Sequence, residues 1–318
     1  MFERSCVSVS LPVAVRLPLP AAVDSHRVLW SYAGTLVVWH LIALLAVFPW
    51  FFSVTGLVVG ILGSYVFGGL GITLCYHRLL THRGLVCPKW LEYSFASLGV
   101  CAMQDTPARW VAVHRRHHEH ADHREDPHSP LVSFFWGHVG WMLVENTDLT
   151  RLSIYDRYSK DILRDPFYRR LERTYLYPTI VISSWVIFFV AGFAAGMLSG
   201  TGLAEALQFG ASLLIWGVFV RAVLVWHMTW LVNSASHLWG YRRYETDDKS
   251  RNNWAVAILT GGEGWHNNHH ADPRSARHGH SRWEFDGIFL VICALEKVGL
   301  AWKVVRPGQR QSLARAVK

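Results

Sequence analysis

The chain has little with which to cross-link itself. Its 318 residues include five cysteines, Cys6, Cys75, Cys87, Cys101 and Cys293, an odd number with no Cys-x-x-Cys spacing. That excludes a disulfide framework and a zinc ribbon, and leaves reduced, mostly buried thiols. No basic stripe interleaved with aromatics occurs, so nucleic acid is not an expected partner. Residues 1–27 lack an uninterrupted apolar core, since they carry Arg4, Arg16, Arg27 and three prolines. They are expected to form a flexible cytoplasmic leader, not a signal peptide.

What is present is segregated. Hydrophobic residues make up 51%, with 16 Trp, 16 Phe and 11 Tyr, and the mean hydropathy is +0.18. Long apolar blocks alternate with charged, histidine-rich ones, the pattern of a membrane protein with large aqueous segments. The blocks 28–52, 54–75, 177–198 and 207–228 are each long enough to span a bilayer. The expected fold is all-α and integral to the membrane, with four transmembrane helices in two hairpins under a helical cap. The cap comprises 76–176 and 229–302, making 28–302 one domain, and 303–318 is a tail. Shorter apolar pieces at 88–103 and 134–144, and an amphipathic one at 283–302, suit the membrane interface. Lys and Arg are absent from the two turns between spans and crowd the cap side, which places the cap in the cytoplasm. The net charge of +8 is therefore first a topology signal, and otherwise a docking surface for an acyl or electron carrier. Arg221, inside the fourth span, is expected to snorkel to the cytoplasmic end or to pair with a carboxylate.

The chemistry lies in histidine spacing. His266, His269 and His270 stand at i, i+3 and i+4, within about 100° of one another on a helix. His114, His117 and His118 repeat that spacing. His77 and His82 form a looser pair where the second span ends, about 140° apart on a regular helix, so both face one site only if the helix ends there or metals lie between them. His237 follows the fourth span as His77 follows the second. Nine imidazoles on one side of the membrane fill one metal four-fold and a second five-fold. A single structural zinc closes with four ligands, so the count points to two metals that accept more than four. Iron fits best, although imidazole also suits zinc, copper and nickel. Asp122, Asp126 and Glu263 are candidates to hold the ring N–H groups of the ligands, and His120, His123 and His128 lie close enough in sequence to assist. His40 and His227 sit in spans without a partner cluster, and His26, His138, His278 and His280 are isolated or flanking.

The boxes His77-Arg78-Leu79-Leu80-Thr81-His82, His114-Arg115-Arg116-His117-His118 and His266-Asn267-Asn268-His269-His270, with Asn233-Ser234-Ala235-Ser236-His237, resemble the membrane fatty acyl desaturases of the delta-9, stearoyl-CoA-desaturase-like family. Asp126-Pro127-His128 and Asp165-Pro166-Phe167-Tyr168 resemble its bacterial and cyanobacterial-type branch. The likeness runs from about residue 65 to 283. It departs from the animal pattern at Asn268, where Tyr is usual, and at His123.

This resemblance implies that the nine histidines bind two iron ions and that Asn233 reaches one of them through water. It implies that Gln104, Trp110 and Thr229 bend an acyl tunnel beside the metals, that Trp230 is their aromatic neighbour, and that Tyr65 and Gly69 stand at the tunnel's methyl end. It further implies O2 as co-substrate, a long-chain acyl-CoA or acyl-lipid, and a cis double bond, most often delta-9. Zinc could replace iron after heterologous expression. No haem-binding His-Pro-Gly-Gly occurs, so a separate donor, a ferredoxin or a cytochrome b5, would supply electrons. Hydroxylation or another regiospecificity is the sister chemistry. A metal transporter would instead place its ligands near the bilayer midplane, where only His40 and His227 fall.

Overall fold

The computed structural model describes residues 16–308. Four helical segments are long and apolar enough to cross a membrane: Trp30–Val47, Val54–Thr81, Leu176–Leu198 and Leu203–Leu238. They coincide with the expected blocks, with differences that have physical causes.

The first block is not one helix. Strand β1 (Val23–Val28) precedes helix α1 (Trp30–Ala43), and tighter 3-10 turns follow at Leu44–Val47 and Pro49–Phe51. Phe48 between them is extended, as the residue before a proline must be. β1 pairs antiparallel with β2 (Val144–Asn146) in the cap. Among the described residues the fold is therefore all-α except for this two-stranded ribbon, and residues 23–27 of the segment expected to be a leader pair with the cap. Residues 1–15, with Cys6, lie outside the described residues, as do 309–318 of the tail.

Helix α2 (Val54–Thr81) is capped by Ser53, whose Oγ accepts the Gly56 N–H at 2.9 Å. It continues past residue 75 because its last turns are buried among cap helices, which satisfy its apolar side chains outside the bilayer. From Ser64 onward its hydrogen bonding widens to a π-helical pattern. Helix α3 (Lys89–Cys101) presses against it so closely that a Cβ on Gly71 would stand 2.4 Å from the Gly99 nitrogen. Glycine is required there by backbone contact.

The cap continues with α4 (Pro107–His120), α5 (Phe134–His138), α6 (Arg151–Tyr158), α7 (Lys160–Leu163) and α8 (Pro166–Arg173). Thr106 caps α4 by accepting the Arg109 N–H, and Pro107 opens it, both standard devices for a helix start. The second hairpin is α9 (Leu176–Leu198) and α10 (Leu203–Leu238), turned at Gly200 with φ +80°. Helices α11 (Trp254–Thr260), α12 (His266–Ala271) and α13 (Gly287–Lys297) close the cap.

The main core joins the two zones. Leu74, Tyr76 and Leu79 of α2 pack with Phe95 and Val100 of α3 and Ile288 and Ile292 of α13. In the water-facing cap each such side chain contributes roughly 1.5–3 kcal/mol, so the exit of α2 is held rigidly. Arg221 does not snorkel, and among the described residues it meets no carboxylate. It is fully buried, donates to the carbonyls of Gly217 at 2.6 Å and Cys101 at 3.1 Å, and lies 3.7 Å over the Phe67 ring.

Candidate metal centre

Helices α2, α4, α10 and α12 deliver their histidines to one buried place. His77, His82, His114, His118 and His269 form one group, and His117, His237, His266 and His270 a second, with the ligand atoms of each group all within 4.8 Å of one another. The box at 77 and 82 works because α2 ends at His82, whose N–H bonds the His77 carbonyl in an i→i+5 turn. That wider turn brings the two rings, which a regular helix would splay, to 4.8 Å. In the other boxes the regular helical spacing suffices.

The donor set is arranged for cations. Nδ1 of His237 lies 2.7 Å from Asp122, that of His117 3.0 Å from Asp126 and that of His270 2.7 Å from Asp248, while Nδ1 of His77 meets Glu263. A carboxylate fixes the ring proton on Nδ1 and leaves Nε2 as a lone pair facing inward. Nε2 atoms then confront one another at 3.1 Å for His77 and His269, 2.9 Å for His118 and His269, 3.0 Å for His237 and His266 and 3.1 Å for His266 and His270. Without a metal each such pair can share one ring proton; with both nitrogens deprotonated, a cation between them turns the contact into ligation. Two metal–nitrogen bonds of about 2.1 Å subtend just such separations. Nε2 of His82 and of His117 is buried without a hydrogen-bond partner. The residues fit two metal ions.

The electrostatics agree. Burial holds His82, His114, His118, His266 and His269 well below the usual imidazole range and brings His270 to about 4. These rings are neutral at pH 7, as ligands must be. The carboxylates move the other way: against the effect of burial, His117 helps bring Asp126 down to about 2, and His77, His278 and Arg78 keep Glu263 well below the ordinary range.

Asp122, Asp126 and Glu263 thus stand against rings of the two histidine groups. Three partners were missed in the sequence. Asp248 serves His270; His278 lies 3.3 Å from Glu263; and Arg78, fully buried, bridges Glu263 at 2.8 Å and Asp286 at 3.0 Å. Arg78 stands inside the first box, next to His77, and a charge at the end of an apolar helix is the signal that could have found it. Asp248 lies in a loop with no periodicity to mark it. His128 joins Asp126 and His117, whereas His120 and His123 do not enter the cluster.

Cavities flank the cluster on two sides. One of about 330 Å³ is lined by Tyr32, Gln104, Trp110, Thr229, Trp230 and Asn233, among others. A smaller one of about 40 Å³ is lined by Tyr65, Gly69, Trp110, His77, Thr229 and Asn233, among others. At their junction Gln104 Nε2 donates to Thr229 Oγ1 at 2.9 Å, and Trp110, stacked 4.9 Å over His114, donates to Gln104 Oε1 at 3.4 Å. Of the residues expected to line a tunnel, Gln104 and Trp230 border the larger cavity, Tyr65 and Gly69 the smaller, and Trp110 and Thr229 both.

A family model of fatty acid desaturases matches residues 48–284. The chain belongs to the fatty acid desaturase family. Among its relatives are the sn-2 palmitoyl-lipid 9-desaturase of Nostoc sp. (strain 36), 40% identical over 90% of this chain and 93% of that one, and the sn-1 stearoyl-lipid 9-desaturase of Anabaena variabilis, 41% identical over 86% and 92%. The icosanoyl-CoA 5-desaturase of Limnanthes douglasii is 39% identical over 88% of this chain and 73% of its own. As a desaturase the protein is an oxidoreductase of lipid metabolism, with four helices suited to the membrane and histidine clusters suited to metal.

Proposed function

We propose that this desaturase introduces a cis double bond at carbon 9 of a saturated long-chain acyl group esterified in a membrane glycerolipid, using O2 and two electrons from a separate ferredoxin or cytochrome b5 type donor. Two bound irons would supply the oxygen-activating redox chemistry that no side chain provides. His77, His82, His114, His118 and His269 would hold one, and His117, His237, His266 and His270 the other, with Asn233 contributing through water. Asp122, Asp126, Asp248 and Glu263 keep the ligand rings oriented. Gln104, Thr229 and Trp110 hold the acyl chain bent beside the metals, and this positioning selects the carbon. Tyr65 and Gly69 close the methyl end.

The observation that carries the reading is the gathering of inward-facing histidine nitrogens in two sets beside two cavities that share Trp110 and Thr229. Two of the relatives named above are named for acyl-lipids, and α1 residues Ser31, Tyr32, Thr35 and Leu36 line the larger cavity. Both favour a lipid-borne chain over acyl-CoA. The excess of Lys and Arg on the cap side supports a cytoplasmic cap.

The test is fatty-acid analysis of a desaturase-deficient host expressing this chain or His269→Ala, by gas chromatography and mass spectrometry with double-bond localisation. A new cis-9 monoene, absent with the variant and present in glycerolipids before the CoA pool, supports the proposal. Appearance first in CoA moves the carrier, a hydroxylated product moves the chemistry, and an unchanged profile with iron and a competent donor present rejects it.

A further inference from the structure

Three arginines on helix α8 share one exposed face. Asp165 caps the helix by accepting the Phe167 N–H at 2.9 Å, and Tyr168 and Leu171 bury its inner side. Arg169, Arg170 and Arg173 fall within about 100° of one another on the opposite side, and all three are exposed. Other cap arginines meet carboxylates: Arg83 and Arg115 meet Asp161, Arg116 meets Asp148 and Arg157 meets Glu119. Among the described residues, Arg169, Arg170 and Arg173 meet none. The carboxylate of this helix, Glu172, instead accepts the hydroxyls of Thr106 and Tyr155.

Through that contact α8 is tied to the rim of the larger cavity. Thr106 stands next to Asp105, which lines the cavity together with Arg109, and Tyr32 donates to Asp105 at 2.9 Å. The cavity reaches the surface at exposed Ser31, in the first turn of α1, and Tyr177 lines it from the first turn of α9. Both helices begin segments long and apolar enough to cross a membrane. The 23 residues of α9 rise about 35 Å, more than the roughly 30 Å of hydrocarbon, so its ends stand among lipid headgroups. Trp30 and Tyr175, 78% and 86% exposed, mark the starts of α1 and α9, as interfacial aromatics do. Arg173 precedes α9 by two residues. The arginine face and the opening at Ser31 therefore lie at one depth.

The positive-inside rule asks for cations near such a helix start, but not for a shared face clear of carboxylates. Guanidinium forks match phosphate oxygens two at a time. We propose that Arg169, Arg170 and Arg173 bind the headgroup phosphate of an anionic phosphoglycerolipid in the cap-side leaflet and present its acyl chains to the cavity opening, making that lipid class the preferred substrate. The inference rests on the reading of this protein as a desaturase of lipid-borne chains. A neutral glycolipid offers the arginines no charge, and a zwitterionic phospholipid offers a phosphate offset by its own ammonium group.

Two measurements on the protein in lipid nanodiscs test this. The first needs no turnover: in the zinc-loaded form, electron paramagnetic resonance compares the immobilised fractions of spin-labelled phosphatidylglycerol and phosphatidylcholine. Wild type is expected to favour phosphatidylglycerol. Replacing all three arginines by Gln should lower that preference at least about fivefold, replacing all three by Lys should keep most of it, and inorganic phosphate at constant ionic strength should leave it unchanged. In the second, the iron-loaded form with excess reduced donor receives equal amounts of saturated phosphatidylglycerol, phosphatidylcholine and a neutral galactolipid, and mass spectrometry locates new double bonds lipid by lipid. Wild type should place them mainly in phosphatidylglycerol, and the Gln variant should lose that excess.

Equal immobilisation of the two labels by wild type, a preference that the Gln variant keeps, or one that free phosphate removes would each overturn the surface. Double bonds spread evenly over the three lipids would overturn its role in choosing substrate. A Gln variant that keeps the lipid preference but needs more donor for the same turnover would assign the face to an acidic electron donor and overturn the proposal. A wild type that forms no double bond, or forms it on acyl-CoA alone, overturns the lipid-desaturase reading and the substrate role with it; the spin labels tell that failure apart from a face that binds no lipid.

Discussion

His237 Nδ1 donates to Asp122 Oδ2 at 2.7 Å, and the Lys249 backbone N–H donates to the same oxygen at 2.7 Å. The penultimate residue of α10 is thereby tied to a cap loop by one carboxylate. That loop also supplies Asp248 to His270. Asp122→Asn and Asp248→Asn preserve shape but weaken the hold on the Nδ1 proton. Each is expected to lower metal affinity about 10–100-fold, and to release one metal of two before the other. Metal analysis after graded dialysis against a chelator checks this; simultaneous loss of both ions would contradict it.

A Cβ on Gly69 would stand 2.9 Å from Ile288 Cδ1. Gly69→Ala should therefore push Ile288 and shorten the small cavity, shifting product from 18-carbon toward 16-carbon chains. Ile288→Val in the same protein should relieve the contact and restore the longer product. Product chain lengths from paired 16- and 18-carbon substrates measure the shift.

Arg78 has both its carboxylate partners inside the protein, so its loss leaves Glu263 with only His77 and His278 and Asp286 with only backbone N–H donors such as those of His278 and Phe289. Arg78→Met is expected to destabilise the fold by about 3–5 kcal/mol and to loosen His77 through Glu263. Thermal unfolding in detergent should show the loss, and Arg78→Lys should recover only part of it, since one ammonium cannot serve both carboxylates in fork geometry.

The metal-free protein should weaken in mild acid. Burial brings His270 and His278 to about 4, against an unfolded value of about 6.5. The unfolded chain therefore binds more protons as pH falls from about 6.5 toward 4, and stability is lost across that window. Asp126, lowered to about 2, adds a second loss below about pH 4, where the unfolded carboxylate protonates first. Denaturation midpoints of the apo-protein from pH 8 to 4 should fall mainly below 6.5; a flat profile would contradict the assignment.

Much of this was legible because the membrane imposes long apolar blocks and because metal ligands on helices obey fixed spacing. The three boxes could be read without coordinates, as could Asp122, Asp126 and Glu263, which lie near them in sequence. What escaped is what depends on chain contacts distant in sequence. Asp248 comes from an irregular loop. Arg78 finds Asp286 across the cap. His40, His138 and His227 look solitary because their partners lie 89 and 187 residues away. The i, i+5 box also required knowing that α2 widens before it ends, a conformation that side-chain spacing alone does not announce.

Tyr65, Gly69 and His77 ride on the one continuous helix α2. On the proposed reading, the depth of the pocket beyond the reacting carbons is gauged on a single rod whose upper end is anchored in the cap. Single-codon changes along its lower face can alter which chain lengths are accepted while the ligands stay in place. A lineage can in this way retune the fluidity of its bilayers without rebuilding the chemistry that makes them unsaturated.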